Sequence, residues 1–399
     1  MSTRTPSLET VGFVLIALCL GLVQLGLFPS QSVLFPAAAI LWLVVSIRDG
    51  RLAEAVTPGR GVPAFFLPLA LYALWTLISA AMSSNPTASF IDSKQLLMFL
   101  MVPVVARFAT GRRATQTVDL IIAIGAAGAL VGIVQFAMLG YNDLDHRPMG
   151  TLGHWMTYSG VLMLVACTAI ARLVFHPAPV AWPMIAVPAL LVALVVTNTR
   201  NAWIGTFLAV SVLLMIRNWK LVFIAPAIAI VALVLAPGQV QDRARSMLNP
   251  QDPASRDRIV MWKIGRDMIR DHPVFGVGPE MIQRKYTEYR QAYPEAVNAT
   301  NPHLHNVPIQ IAAERGIPAL ILWTWFIGSA AWALWRQLRA RIAPAITGAG
   351  LAAVVAMLTA GLFEYNFGDS EFLMLFLGII TLPFAAAAGL PQAANQRPQ

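Results

Sequence analysis

The chain has 399 residues, of which 57% are hydrophobic and only 12% are charged, and its formal net charge is +9. An ordinary soluble domain carries about 25% charged residues, so this composition excludes a soluble globular fold. The sequence contains no glycine-rich phosphate loop and no dinucleotide-binding fingerprint, which argues against ATP-driven chemistry.

Uncharged apolar runs recur along the whole sequence, and a bilayer core needs about 20 apolar helical residues to be crossed. The alternating pattern of an outer-membrane barrel is absent, so we predict an all-α polytopic membrane protein with about 12 transmembrane helices. The predicted spans are 11–28, 33–47, 63–82, 95–110, 117–139, 156–175, 179–197, 201–216, 219–237, 317–335, 343–363 and 372–388. The predicted organisation is nine transmembrane helices over 1–238, a helical periplasmic loop over 239–304, and helices ten to twelve with a short cytoplasmic tail over 305–399.

Lysine and arginine in the short connections predict the orientation, because cytoplasmic loops carry an excess of both. With a cytoplasmic N-terminus, 14 of these residues fall on the cytoplasmic side, whereas the opposite short loops hold only Lys94, Arg147 and Arg200. This bias predicts both termini in the cytoplasm. The long loop and three polar connections then face the periplasm or cell exterior.

The long loop has helical apolar periodicity between Ser255 and Asp271. We expect this helix to bear an apolar stripe of Ile259, Trp262, Ile264, Met268 and Ile269. A second helix is predicted from Pro279 to about Tyr293, and the pair suits a cap on the membrane surface. Most charges here are expected to be solvated, but Arg256 and Arg258 are candidates to turn inward. No nucleic-acid-binding signal is present, since the net charge mainly reflects membrane orientation.

Arg200 lies at the tip of a very short predicted hairpin between two apolar spans. Its guanidinium is therefore expected near the depth of the lipid headgroups. One interpretation is a positive anchor that reaches lipid phosphate. The other is a bidentate clamp on a phosphate or pyrophosphate ligand, a geometry for which arginine is favoured over lysine.

His303 and His305 precede the tenth predicted span, at the mouth of any cavity between the helices. A neutral imidazole there can abstract a proton from a hydroxyl. The alternative interpretation is that both histidines are ordinary solvated surface residues. A metal-binding pair is disfavoured, because no cysteine or third ligand is fixed by spacing.

Acidic residues fall in the same group of connections. Asp143-Leu144-Asp145 matches the Asp-x-Asp pattern that holds a divalent metal in nucleotide-sugar glycosyltransferases, but solvated turn residues are the preferred interpretation. Glu364, Asp369 and Glu371 can form an acidic rim or pair with the basic residues. The sequence therefore predicts no metal site.

Four stretches together resemble a known family. They are 147–154 (RPMGTLGH), 199–203 (TRNAW), 258–262 with 271–278 (DHPVFGVG), and His305-Asn306 followed by Gln310, Glu314 and Gly316. With twelve predicted spans and a large loop before the tenth, the chain resembles the O-antigen ligases and their polymerase and oligosaccharyltransferase relatives. Thr199 and Asn201 depart from the serine and glycine often seen around that arginine.

The resemblance implies transfer of a glycan from undecaprenyl pyrophosphate to an acceptor hydroxyl, with inversion and without nucleotide, metal or other cofactor. In the ligase branch the acceptor is the lipid A–core oligosaccharide, and the site faces the periplasm from the bacterial inner membrane. His305 would be the catalytic general base, and Arg200 and Arg258 would bind the pyrophosphate. Arg147, His303 and Arg256 complete the candidate substrate-binding residues.

Two alternatives remain open at the level of sequence. A polymerase of the same superfamily would join two lipid-linked repeats, and topology discriminates poorly between it and a ligase. A lipid or solute transporter or flippase is the alternative from another class. Transporters often show inverted repeats and charged or broken helices at the midplane, whereas the polar residues here are predicted to gather on one face.

Overall fold

The computed structural model describes residues 7–27, 29–176, 181–249 and 251–389, and the described chain is all-helical, without β-strands. The helices are α1 (Leu8–Leu22), α2 (Phe35–Arg48), α3 (Leu52–Val56), α4 (Phe66–Ala81), α5 (Pro86–Asp92), α6 (Met101–Phe108), α7 (Arg112–Met138), α8 (Trp155–Phe175), α9 (Ala181–Val196), α10 (Arg200–Arg217), α11 (Ile224–Leu235), α12 (Gly238–Arg245), α13 (Pro253–Asp271), α14 (Ile282–Tyr289), α15 (Val307–Arg339), α16 (Pro344–Gly361) and α17 (Ser370–Ala388). Short 3₁₀ or π turns extend several of them.

Each of the twelve predicted spans coincides with helix in the structure. In the described residues, nine helical stretches are long and apolar enough to cross a membrane: Leu8–Leu25, Ser30–Arg48, Pro86–Phe108, Arg112–Met138, Trp155–Phe175, Arg200–Arg217, Val307–Arg339, Pro344–Gly361 and Ser370–Ala388. Phe66–Ala81, Trp182–Val196 and Trp219–Leu235 are apolar but shorter. The all-helical, multi-span class is confirmed, whereas the count of twelve stays a prediction. Parts of the first and seventh predicted spans and the C-terminal tail lie outside the described residues.

Two polar ends terminate the bundle. At one end the Arg107 guanidinium donates to Glu9 at 2.7 Å and to Asp49 at 2.7 Å, which ties α1, the end of α2 and α6 together. The backbone N–H of Gly111 donates to the carbonyl of Ala385 at this end. The first helix therefore begins at the end of the bundle where the last helix finishes.

Small residues allow close packing in the centre of the bundle. α16 is almost completely buried and packs on α8, α10, α15 and α17. A Cβ added at Gly205 of α10 would lie 3.0 Å from the carbonyl oxygen of Ala356 in α16. Glycine at this position lets the two backbones approach, as is typical of helix contacts in membranes.

The long loop has its own apolar core, built by α13, α14 and the segment after α14 together with Ala313 of α15. The predicted first loop helix is confirmed, and it begins at Pro253. The predicted stripe is wrong at Ile259, which is exposed. The buried face instead includes Val260 and Met261, because α13 turns that side towards the first part of α15. The second loop helix begins at Ile282, three residues after the predicted Pro279.

The stretch 271–278 fastens this loop to the bundle. The N–H groups of Val277 and Gly278 donate to the carbonyls of Ala313 and Glu314, and Ile317 donates to Pro273. α15 breaks its helical conformation at Gly316, where φ is 81°. A Cβ there would overlap the carbonyl of Val274, so only glycine fits this close approach. The 271–278 stretch and the stretch around Gly316, which both carry the family resemblance, therefore pack against each other and hold the loop to the bundle.

Candidate functional site

The hairpin between α9 and α10 places Arg200 at the polar end opposite Arg107. Asn198 has φ of 54°, in the left-handed region that asparagine tolerates, and Arg200 is the first residue of α10. Arg200 is only 7% exposed and donates to Asp252 at 2.9 Å and to Ser246 at 3.1 Å. This burial is inconsistent with an exposed anchor in the headgroup layer.

Asp252 holds the long loop to the hairpin and caps α13, since its carboxylate also accepts from the N–H of Ser255 at 3.0 Å. Burial opposes ionisation of this carboxyl, but the hydrogen bonds from Arg200 and Ser255 hold its pKa below the ordinary value. Sequence reasoning missed Asp252. Its signal was an aspartate immediately before a helix-initiating proline.

We expect Asp252→Ala to lower the free energy of unfolding by about 3 kcal/mol, because it leaves a buried guanidinium without its carboxylate. Asp252→Asn is the matched variant, since asparagine keeps the helix cap and removes only the charge. The folded pKa is depressed, so the wild-type advantage over Asp252→Asn should be complete well above pH 3.8 and vanish as the pH falls through the folded pKa. Thermal unfolding in detergent between pH 3 and 7 measures this, and a constant difference between the two proteins would contradict it.

Four arginines from separate elements gather around this pair: Arg147 from the loop before α8, Arg200 from α10, Arg243 from α12 and Arg258 from α13. Burial lowers the pKa values of Arg147, Arg243 and Arg258, and their mutual repulsion, with Arg200, lowers them further; the pKa of Arg243 falls to about 10. Asp252 offsets part of this charge. The arrangement therefore strongly favours a bound anion.

The partners of these guanidinium groups differ. Arg147 donates to the carbonyl of Leu144 at 2.8 Å and lies 5.1 Å from the ring of Trp155. Arg243 donates to the carbonyl of Asn198 at 3.3 Å. Arg258 has a buried Nε with no hydrogen-bond partner among the described residues. Arg258 makes no hydrogen bond to another described residue, so within this cluster its guanidinium is the least engaged and can donate to a phosphate oxygen.

Of the four arginines that the sequence predicts to bind substrate, three belong to this cluster and one does not. Arg256 is exposed, and its charge acts on Glu295 instead of joining the cluster. Arg147 and Arg258 do join it. Arg243 was not singled out, because nothing in the local sequence separates it from the other basic residues of a charged loop.

His305 and Glu364 form an imidazole–carboxylate pair, with Nδ1 2.9 Å from Oε2. Burial opposes ionisation of Glu364, but the hydrogen bond and charge of His305, with the charge of Arg258, hold its pKa below the ordinary value. An ionised carboxylate only accepts, so Nδ1 carries a hydrogen, and in the neutral form of the ring Nε2 holds the lone pair. The pair is thus arranged as an oriented general base.

The backbone of His305 is itself unusual. Its φ is 48°, in the left-handed region, immediately before Asn306 caps α15. Such a conformation is uncommon for non-glycine residues and persists where surrounding structure enforces it, often at functional sites. The adjacent cap fixes the direction in which the imidazole leaves the chain.

His303 lies apart from this pair, at a cavity of about 220 Å³. Its ring is 5.3 Å from the ring of Tyr365, and its Nδ1 is buried without a partner in the described part of the chain. Burial lowers its pKa, which favours the neutral imidazole. Glu364 lines the same cavity, so the cavity adjoins the general-base pair.

The arginine cluster and the imidazole pair belong to one site. The charges of Arg258 and Glu364 act on each other. One turn along α13, the ring of Trp262 packs 6.4 Å from Phe363 beside Glu364. The sequence prediction that these polar residues converge at one end of the bundle therefore agrees with the geometry.

The remaining acidic residues lie in two different environments, an exposed turn and the cavity. Asp143 lies in an exposed turn and accepts from the N–H of Asp145 at 2.8 Å, as a solvated turn residue does. Asp369 instead lines the cavity. Across the residues that the structure describes, no three histidine, cysteine or acidic side chains gather as metal ligands.

Residues 185–324 match the family model described as O-antigen ligase. The match covers less than half of the chain and supports a relationship of this segment to the O-antigen ligase family. It extends from α9 into α15 and includes Arg200, Arg243, Asp252, Arg258 and both histidines, so most of the site lies inside the match. Members of the family are glycosyltransferase-like enzymes of glycan assembly. None of the curated proteins matches the chain significantly.

The match to the O-antigen ligase family and the apolar helices together make this chain a multi-pass membrane protein. Arg147, Glu364 and Asp369 lie outside the matched segment. The site is therefore completed by loops on both sides of this segment, which only the folded chain brings together.

Proposed function

We propose that the chain is an O-antigen ligase that transfers a glycan from undecaprenyl pyrophosphate to a hydroxyl of the lipid A–core oligosaccharide. The observation that carries the proposal is the junction of an oriented imidazole with a cluster of arginines at one end of the bundle. In the proposed orientation this end faces the periplasm from the bacterial inner membrane, and both termini are cytoplasmic.

The proposed reaction uses each group for one task. Nε2 of His305 accepts the proton of the acceptor hydroxyl, whose oxygen attacks the anomeric carbon of the donor sugar. The bond from that carbon to the pyrophosphate oxygen breaks, and its electron pair leaves with the lipid diphosphate. The arginine cluster stabilises this departing negative charge. Attack opposite the leaving group inverts the anomeric centre, and no metal or nucleotide takes part.

A lipid-linked donor also suits the elements around the cluster. The side chains of α11 are mostly exposed and entirely apolar, as expected of a helix that faces lipid. Two residues, Ala236 and Pro237, separate it from α12, which carries Arg243. A polyprenyl tail in the bilayer beside α11 would thus place its diphosphate near the arginines.

The decisive experiment supplies the purified protein with an undecaprenyl-pyrophosphate-linked glycan and two acceptors in parallel. We expect lipid A–core to be glycosylated. Exclusive elongation of a second lipid-linked repeat would replace the ligase assignment with polymerase activity. Movement of the intact lipid-linked glycan across a vesicle membrane, without transfer to either acceptor, would support a flippase instead.

A further inference from the structure

The cavity beside the general-base pair lies between the start of α8, the start of α10 and the connection from α16 to α17. Its polar lining consists of His154, Thr157, Asn201, His303, Glu364, Tyr365, Asn366 and Asp369. Its apolar lining includes Met156, Met163 and Phe372. Several uncharged and acidic hydrogen-bonding groups thus face a space of about 220 Å³, enough for a single sugar ring but not for a large oligosaccharide.

The charge of this lining differs from that of the arginine cluster. None of the four clustered arginines lines the cavity, whereas two carboxyl groups do. A phosphate would be repelled by the ionised carboxylate of Glu364. Neutral hydroxyl groups, in contrast, donate to carboxylates and accept from amide groups. The cavity chemistry therefore favours a polyol such as a pyranose ring.

Asp369 is held rigidly towards this space. It caps α17 by accepting from the N–H of Phe372 at 3.2 Å, and its second carboxylate oxygen accepts from the hydroxyl of Thr157. Each carboxylate oxygen has capacity for a further hydrogen bond. Burial raises the pKa of this carboxyl, and the nearby charge of Glu371 raises it further. Because this buried carboxyl is poorly solvated, a ligand hydroxyl in the cavity would supply a hydrogen bond that it otherwise lacks.

His303 provides a second, independent reason to expect a hydroxyl ligand in the cavity. Its Nδ1 is buried and has no partner in the described residues, although its ring lines the cavity. The buried Nδ1 is closed off from the cavity, but the edge of the ring that lines the cavity can hydrogen-bond a ligand hydroxyl.

We propose that this cavity binds the acceptor sugar ring, with Asp369 and His303 hydrogen-bonding hydroxyls other than the one that reacts. The assignment rests on the proposed transfer reaction and deepens it. Asp369 becomes a residue that selects the acceptor, and Thr157 becomes a positioning residue for its carboxylate. Glu364 lines the cavity and also contacts Nδ1 of His305, so the cavity lies beside the general-base pair.

Asp369→Asn tests the assignment, because asparagine keeps both the helix cap and the shape of the side chain. We expect the KM for lipid A–core to rise at least tenfold, with kcat and the KM for the lipid-linked donor within about twofold of wild type. Asp143→Asn is the matched control. It makes the same chemical change in an exposed turn on a neighbouring loop, and both KM values should stay unchanged.

Thr157→Val provides a second variant, since it removes the hydroxyl with little change in volume. We expect an intermediate rise in acceptor KM. Binding of lipid A–core, measured by calorimetry without donor, should weaken in parallel for both variants. Unchanged acceptor KM and binding in Asp369→Asn and Thr157→Val would overturn the cavity assignment, as would a selective rise in the donor KM. Absence of transfer by the wild-type protein to any acceptor would instead refute the proposed function.

Discussion

Replacing His305 with alanine is expected to lower the rate of glycan transfer by roughly 10²–10⁴-fold, the usual contribution of a positioned general base. The expectation rests on the Nδ1 contact of 2.9 Å with Glu364, which leaves Nε2 as the acceptor of the hydroxyl proton. The loss should appear in kcat, because the imidazole accepts the proton of the acceptor hydroxyl during the chemical step and does not bind the pyrophosphate. Single-turnover kinetics with saturating donor and acceptor measure it.

Two neighbouring variants separate the base from its surroundings. Glu364→Gln keeps the size of the side chain but removes the charge that orients and stabilises the imidazolium, so we expect a smaller fall in kcat than for His305→Ala. His303→Ala should mainly raise the acceptor KM, because that ring lines the cavity without contacting Glu364 through a hydrogen bond. If His303→Ala instead abolishes turnover while His305→Ala retains it, the roles of the two histidines are reversed.

Arg258→Lys is expected to lower kcat/KM for the lipid-linked donor by about 10–100-fold. A hydrogen bond to a charged group contributes about 1.5–3 kcal/mol, and a lysine ammonium cannot reproduce the planar fork of arginine. Arg258 is chosen because its Nε has no partner in the described structure, whereas Arg200 is already occupied by Asp252 and Ser246. Initial rates at varied donor concentration give the value.

Arg256→Lys is the matched control, since this exposed arginine lies two residues away on the same helix and outside the cluster. It should change donor kinetics less than twofold. Inorganic pyrophosphate should compete with the donor and raise the unfolding temperature of the wild-type protein, because a ligand that binds only the folded state stabilises it. Equal effects of Arg256→Lys and Arg258→Lys on both measurements would remove the cluster from donor binding.

The helical architecture follows from the sequence because a bilayer imposes a simple rule. Every backbone polar group must be paired within its own segment, so long apolar runs form helices. The runs at 156–175 and 372–388 therefore correspond closely to α8 and α17. The predicted tenth span begins at 317, directly after the break at Gly316, but the helical part of α15 from Val307 to the break was not predicted, because contacts with the 271–278 stretch fix that part.

The candidate site was only partly predictable. Arg200 and His305 were found because charged or titratable groups beside apolar spans are costly and therefore conspicuous. Arg258, in the long loop, was assigned through the family resemblance. Arg243 lies among many charged residues of a solvated loop, where sequence alone gives no reason to prefer it, and the signal at Asp252 indicates a helix cap but not an ion pair with Arg200. Their role depends on the hairpin at Asn198 and Arg200, to which both bind.

A membrane-embedded helical chain, the likeness to the O-antigen ligases and the polar loops at one end can all be read from the residues alone. Which side chains share a site became evident from the folded chain: Glu364 with His305, Asp252 with Arg200, and Asp369 with the cavity. The difference arises because apolar runs respond to the bilayer locally. Ion pairs and cavities instead depend on loops that are distant in sequence and are brought together by packing of the bundle.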